Sequence, residues 1–263
     1  MSTPRVMAVI PAHLASVRFP RKILFPFHGL PMIEHVRRRA LMAQGLADAI
    51  VATCDDEIAD AVRSYGGRVV RTANTHRNGT TRVAEAVEQL DCTHVLLLQG
   101  DEPLLLPRHV EAMLAAIAAD PGGTAWNATG PIDEPSELDR HSFVKCATGP
   151  DDRILYCFRR SPGHAPFEAQ QRYVRKILGI IAYRRDVLLD IAGRAATPIE
   201  TAEFIEQMRL IESGMPIRSV SVHPSLPSVN EPHEADLVLE YVQGDAEQST
   251  LLERVVTGPG SNG

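Results

Sequence analysis

Aromatic residues are scarce in this chain: they make up 5% of its 263 residues, with a single tryptophan, Trp126, which reads as a packed ring. No uninterrupted apolar stretch reaches the length needed to cross a bilayer. Cysteine is rarer still. Cys54, Cys92, Cys146 and Cys157 are scattered without a CxxC pair, a spacing that suits neither a zinc site nor a disulfide framework, so they read as reduced, mostly buried thiols. Excess positive charge is missing as well. The 33 acidic residues outnumber the 27 Lys and Arg, for a net charge of -6, which argues against a general nucleic-acid binder with its cationic face. A local pocket of a few Lys and Arg is still compatible with that balance. The loop after the first apolar run, Pro11 to Lys22, is neither a Walker loop nor a GxGxxG fingerprint, so P-loop kinase and dinucleotide dehydrogenase readings lose support. Met1-Ser2-Thr3-Pro4-Arg5 leads straight into a short apolar strand without a signal peptide, and the expected location is cytoplasmic.

What is there is ordinary globular composition, 44% hydrophobic and 23% charged. The apolar run Val6 to Ile10 stops at Pro11 and reads as a strand buried on both faces. Helical spacing follows from Met32 to Ala43 (Met32, Ile33, Val36, Ala40), with Arg37, Arg38 and Arg39 read as a solvated helix face or interface charge. Strands at Ala49 to Thr53, Val69-Val70 and His94 to Leu98 alternate with helices at Asp56 to Tyr65, Thr80 to Leu90 and Pro107 to Ala119. That alternation with short links predicts an α/β fold with a doubly wound, mostly parallel sheet. After Pro121 the rhythm changes to strand-like stretches near Thr124 to Thr129, Phe143 to Thr148, Ile154 to Arg159 and Ile177 to Tyr183, an antiparallel extension. A Pro/Gly/His loop from Ser161 to Phe167 carries His164, read as solvent-exposed. A continuous helix is expected from Thr201 to Ser213, a strand at Ile217 to Val222, a helix from Glu231 to Gln243, and a frayed tail from Gln248.

Two clusters carry chemistry. The first runs Pro11-Ala12-His13-Leu14-Ala15-Ser16-Val17-Arg18-Phe19-Pro20-Arg21-Lys22 at the carboxyl end of the first strand, where open α/β sheets bind ligands. Arg18 and Lys22 on a loop of small residues can hold a polyphosphate while backbone N–H groups approach it; a solvated basic loop is the plain alternative. In the second, Leu96-Leu97-Leu98-Gln99-Gly100-Asp101-Glu102-Pro103, an apolar strand delivers a carboxylate at its tip. Asp101 is there a candidate Mg2+ ligand beside nucleotide phosphates, against the alternative of a simple turn cap.

Together with His76-Arg77-Asn78-Gly79-Thr80-Thr81-Arg82, these clusters resemble the CMP-Kdo synthetase family, the 3-deoxy-manno-octulosonate cytidylyltransferases. The resemblance runs from about Met7 to Tyr241. It continues through Val144-Lys145, Tyr156 to Arg159, Leu178-Gly179-Ile180 with Tyr183-Arg184, and Glu203 to Arg209. It implies a nucleotidyltransferase domain over 1–247, with an acceptor and dimerisation extension near 124–185 and a flexible tail at 248–263. It also implies CTP as donor, a small anionic acceptor, Mg2+ and a homodimer. Position by position, Pro11 and Ala12 are expected against the cytidine and Arg18 and Lys22 on its phosphates, with His13 in the same loop. Asn78, Gly79 and Arg82 are expected around base and ribose, and Asp101 on the metal. Gln99, Arg159, Glu206 and Gln207 match positions lining the acceptor pocket.

The departures shape the acceptor reading. His13 stands where the family usually carries Arg, Asn78 where it carries Ser, and Ile177 where it carries the His before Leu-Gly-Ile. Asn230, in Val229-Asn230-Glu231-Pro232, replaces the family's second metal aspartate, and its amide oxygen still ligates magnesium without supplying charge. Loss of the pocket His at Ile177 and of one carboxylate at the metal favours a more anionic acceptor, with a phosphonate such as phosphonoformate leading and a Kdo-type sugar acid as the alternative. A non-catalytic nucleotide-binding protein is the reading from another class.

Overall fold

The computed structural model describes residues 3–76 and 78–257. Arg77, part of the block before Asn78, and 258–263 of the expected tail lie outside the described residues. The chain falls into two compact units, one of residues 5–111 and 226–257, the other of 3–4 and 112–225, where a single domain with a shorter extension was expected.

The first unit is built on four parallel strands. β1 (Val6–Ala12) lies between β4 (Asp48–Thr53) and β6 (His94–Leu98), and β5 (Arg68–Arg71) pairs with β4. Parallel strands bury both faces, and β1 and β6 are accordingly continuous apolar runs with almost every residue buried. Between β1 and β4 a two-residue hairpin joins β2 (Pro26–Phe27) to β3 (Leu30–Pro31). Its turn, His28-Gly29, holds φ angles of 46° and 81°, the positive pair that a tight hairpin needs and that glycine accepts without strain. The helices α1 (Met32–Leu41), α2 (Asp56–Ser64) and α3 (Gly79–Glu88) fill the links, and α4 (Pro107–Ala119) follows β6. The division between the two units falls within α4.

The second unit holds a mixed sheet. β7 (Ala125–Gly130) is buried along its whole length and pairs antiparallel with β10 (Val174–Arg184) and parallel with β11 (Ile217–Ser221). β8 (Lys145–Thr148) pairs antiparallel with both β10 and β9 (Ile154–Phe158). Four helices complete it: α5 (Phe167–Gln170), α6 (Arg185–Gly193), α7 (Pro198–Glu203) and α8 (Gln207–Glu212). Trp126 is buried in this unit, and Cys92, Cys146 and Cys157 are buried free thiols. Two further helices, α9 (Pro232–Gly244) and α10 (Ala246–Thr257), belong to the first unit.

Three expectations change. The helix expected from Thr201 to Ser213 is broken: Phe204 sits in the left-handed region at φ 55° and ends α7, and α8 starts at Gln207. No periodicity signal marks this break, because the apolar spacing runs on across it. Glu203 and Gln207 therefore do not share one helix, whereas Glu206, the N-cap of α8, stays one turn from Arg209, whose N–H donates to its carbonyl at 3.1 Å. Arg209 instead makes a two-pronged bond to Glu200, at 2.7 and 2.5 Å.

The run Arg37-Arg38-Arg39 is not a solvated face but buried. Glu34, itself fully buried, takes Arg37 through both oxygens at 2.7 Å and Arg38 at 3.2 Å, the i,i+3 and i,i+4 reach of a helix. Arg38 also donates to the Val255 carbonyl, and Arg39 to Gln248 at 2.7 Å. Both partners lie on α10, within the segment expected to fray. Leu251 and Val255, four residues apart on one face, are buried and hold that helix down.

Candidate active site

At the carboxyl end of β1 the chain turns into a loop fixed by Asp55, whose carboxylate accepts the Leu14 N–H at 2.9 Å. The loop ends in a short 3-10 turn at Lys22–Leu24. From there Lys22 Nζ reaches Asp101 Oδ2 at 2.5 Å and the Val229 carbonyl at 3.2 Å. Asp101 lies just past the tip of β6, and its own carbonyl accepts the Val229 N–H at 2.9 Å. Arg18 donates to the Asn230 side-chain oxygen at 3.3 Å. Lys22, Asp101, Arg18 and Asn230, widely separated in sequence, thus form one cluster of cations and oxygen ligands. Gly100, beside Asp101, is tightly packed: a Cβ there would lie 3.0 Å from Ile23 and 3.2 Å from Ile33, whose side-chain ends would have to give way. The strand tip therefore packs closely on the elements that carry Lys22.

α3 begins at the same end of the sheet. Asn78 caps it, accepting from the Thr81 N–H and the Thr81 hydroxyl, each at 2.9 Å. A Cβ on Gly79 would stand 3.1 Å from Pro11, so the start of α3 lies against the end of β1. Arg82 is buried and donates to Thr72 Oγ1 at 2.6 Å and the Ala73 carbonyl at 3.2 Å, which holds the segment before Asn78 in place. Ala12 is buried in the β1–β4 ladder. The His13 imidazole titrates below its ordinary range, first because it is partly buried and next because Arg82 is close; Asp55 acts in the opposite sense and Lys22 in the same one. Gln99 is exposed at the end of β6.

The remaining sequence candidates belong to the second unit. Arg159 follows β9 and directs its guanidinium at three backbone carbonyls: Glu203 at 3.0 Å, His141 at 3.1 Å and Phe204 at 3.2 Å. It lines a cavity of about 310 Å³ with His141, Tyr156, Phe158, Arg160 and Glu203. Tyr156 and Phe158 stack there with ring centres 6.3 Å apart. Gln207 donates to Asn127 at 3.0 Å. Asn127 is fully buried and bonds the Leu178 carbonyl at 3.0 Å, beside the irregularity in β10 between Ile177 and Ile181. Ile177 is half-buried opposite Thr129, and Glu206 is exposed at the start of α8.

Sequence reasoning gave no role to His141, Arg160 or Asn127; Lys145 figured only in the block Val144-Lys145, and Glu203 only as the start of the block Glu203 to Arg209, paired with Gln207 along the expected helix. A lone polar residue in a strand or loop carries no pattern, and these side chains meet only through the break at Phe204 and the β8–β9 pairing. Among the described residues no three His, Cys, Asp or Glu side chains gather as an all-protein metal cage. None of the described helices is long and apolar enough to cross a membrane.

Comparison with known proteins places the chain in a family. The profile of the cytidylyltransferase family matches residues 7–217. A 3-deoxy-manno-octulosonate cytidylyltransferase of Geobacter metallireducens is 36% identical over 247 residues, covering 90% of this chain and 97% of that protein. An 8-amino-3,8-dideoxy-manno-octulosonate cytidylyltransferase of Shewanella sediminis is 37% identical over 236 residues, covering 87% and 95%. The solved structure of a CMP:2-keto-3-deoxy-manno-octonic acid synthetase complexed with CTP superposes with a TM-score of 0.86 at 35% identity, covering 91% of this chain and 99% of that one. The chain is a nucleotidyltransferase of the cytidylyltransferase family.

Proposed function

We propose that the enzyme transfers CMP from CTP to a Kdo-type sugar acid and releases pyrophosphate. The observation that carries this reading is the cluster at the strand tips, where Lys22 meets Asp101 at 2.5 Å and Arg18 meets Asn230 at 3.3 Å, in a chain with the relatives described above. The acceptor hydroxyl oxygen forms the new bond to the α-phosphorus of CTP, the bond from that phosphorus to the bridging oxygen of the leaving group breaks, and the hydroxyl proton leaves to solvent. Most of the barrier is then a matter of alignment and of charge on the phosphate oxygens. Arg18 and Lys22 neutralise the departing pyrophosphate, and the start of α3 offers N–H groups to the phosphates. Arg159 and Arg160, in the aromatic-walled cavity of the second unit, are the cations for the acceptor carboxylate, with Gln207 and Glu206 as further polar contacts.

The donor set suits magnesium. Asp101 and Asn230 supply one carboxylate and one amide oxygen, and Mg2+ is commonly held by one or two such ligands together with substrate phosphates and water. When bound, the ion would supply charge neutralisation on the phosphate oxygens. Asn230 offers an oxygen without negative charge, so Asp101 would be the one protein carboxylate to balance the ion. A homodimer and a cytoplasmic location belong to the same reading; sedimentation of the purified protein tests the first.

The expectation of a phosphonate acceptor finds no support in the relatives named above, which act on octulosonates. A panel decides: CTP and Mg2+ with Kdo, its 8-amino analogue or phosphonoformate, followed by pyrophosphate release. Turnover with an octulosonate is the expected result. Turnover with phosphonoformate alone, or with none of the three, contradicts the proposal.

A further inference from the structure

Lys145 opens β8, opposite Phe158 of β9 and Lys176 of β10, and its side chain is 0% exposed. An ammonium has three N–H donors, and all three are engaged by backbone carbonyls. Lys145 Nζ donates to Arg140 at 2.7 Å, to Phe143 at 2.9 Å and to Arg159. A buried cation met by neutral carbonyls pays a desolvation penalty that an apolar side chain of similar volume would avoid. What the ammonium achieves in return is geometric: it ties the loop 140–143 to the end of β9. Arg159 is thereby held at both ends, its carbonyl by Lys145 and its guanidinium by His141, Glu203 and Phe204. Three stretches remote in sequence, 140–143, 159 and 203–204, become one wall of the cavity lined by His141, Arg159 and Glu203.

We propose that Lys145 is the positioning residue of the acceptor pocket: its buried ammonium sets Arg159 and the 140–143 loop, and so governs acceptor affinity without touching the acceptor. This rests on the reading of that cavity as the acceptor site. The charge of Lys145 adds a second signature. Burial lowers its pKa to about 8; Asp139 and Glu137 draw it upward and Arg159 pushes it down. Above that pH the neutral amine has two N–H donors for three carbonyls, so the wall loosens as pH rises.

The test compares wild type with Lys145→Met, which keeps length and removes the donors, and Lys145→Arg, which restores charge and donors. In Lys145→Met the KM for Kdo is expected to rise by about tenfold or more, the scale of a misplaced binding wall, while CTP affinity and kcat at saturating acceptor stay within about twofold of wild type, well short of that misplacement effect. Lys145→Arg recovers part of the loss. Wild-type KM for Kdo climbs above pH 8, and in Lys145→Met that rise is absent. An unchanged KM, or an equal loss of CTP affinity, overturns the proposal. Should Lys145→Met fail to fold, the wild-type pH profile decides by itself, and a KM flat through pH 8 overturns the idea. Should wild type not turn over Kdo at all, the acceptor assignment has failed instead. Crystal structures of wild type and Lys145→Met then judge the positioning role: a displaced Arg159 and 140–143 loop support it, and an unmoved wall refutes it.

Discussion

Two groups of cations, one in each unit, are neutralised in different ways. In the first unit Arg37 and Arg38 close on the carboxylate of Glu34, charge against charge, within the reach of one helix. In the second unit Lys145 and Arg159 direct their donors at backbone carbonyls, Lys145 at those of nearby residues and Arg159 out to Glu203 and Phe204. A carboxylate partner cancels charge and holds a helix in its packing. Carbonyl partners cancel less charge but dictate the course of the main chain. The first arrangement holds a helix in the scaffold; the second shapes the wall of a cavity. At the strand tips Lys22 and Asp101 form a third type, a pair that remains partly open to solvent.

The contrast can be broken or sharpened by substitution. The largest effect is expected at the open pair: Asp101→Asn lowers the transfer rate by about a thousandfold, roughly 4 kcal/mol of lost transition-state stabilisation, with little change in melting temperature. Steady-state kinetics beside a thermal melt checks this, and a large stability loss would place Asp101 in the scaffold instead. Glu34→Gln should do the reverse. It leaves two buried guanidinium groups without their carboxylate and is expected to cost about 3–5 kcal/mol in urea unfolding. A loss under about 1 kcal/mol would show that the Arg38 bond to Val255 already suffices.

Next comes a titration. His35 on α1 is buried, with Nε2 2.8 Å from the Phe27 carbonyl, and burial is the chief reason that its pKa falls to about 4, although that carbonyl bond opposes it. The fold therefore favours neutral imidazole, whereas the unfolded chain takes up a proton at about 6.5. Stability from this group is complete above pH 6.5 and is lost as pH falls toward 4, by up to about 3 kcal/mol. His35→Gln should flatten that part of the stability profile, and an unchanged slope would remove His35 from the account. The smallest effect is at Phe204, 81% exposed and left-handed. Phe204→Gly relieves the backbone strain and is expected to raise stability by about 1 kcal/mol. A marked loss would mean that the ring has a packing role.

How much of this was legible beforehand follows from where each signal resides. β1, β6 and the residues at their tips were readable, because a continuous apolar run that ends in Arg18 and Lys22, or in Asp101, is a local pattern. His94–Leu98 and Pro107–Ala119 were placed to the residue. The break at Phe204 was not readable, since neither Gly nor Pro marks it and the spacing from Thr201 to Ser213 looks helical. The burial of Arg38 and Arg39 was hidden for another reason: their partners Val255 and Gln248 lie on α10, more than two hundred residues away. Long-range carbonyl contacts, such as those of Arg159 to Glu203 and Phe204, leave no trace in composition or period at all.

The claim that nucleotide and acceptor are gripped by separate sets of cations is tested most directly by calorimetric titration of CTP, with magnesium and without acceptor, into Lys22→Ala and Arg159→Ala. The account predicts a Kd raised by about a hundredfold in the first and unchanged in the second. Equal weakening in both, or none in Lys22→Ala, would contradict it.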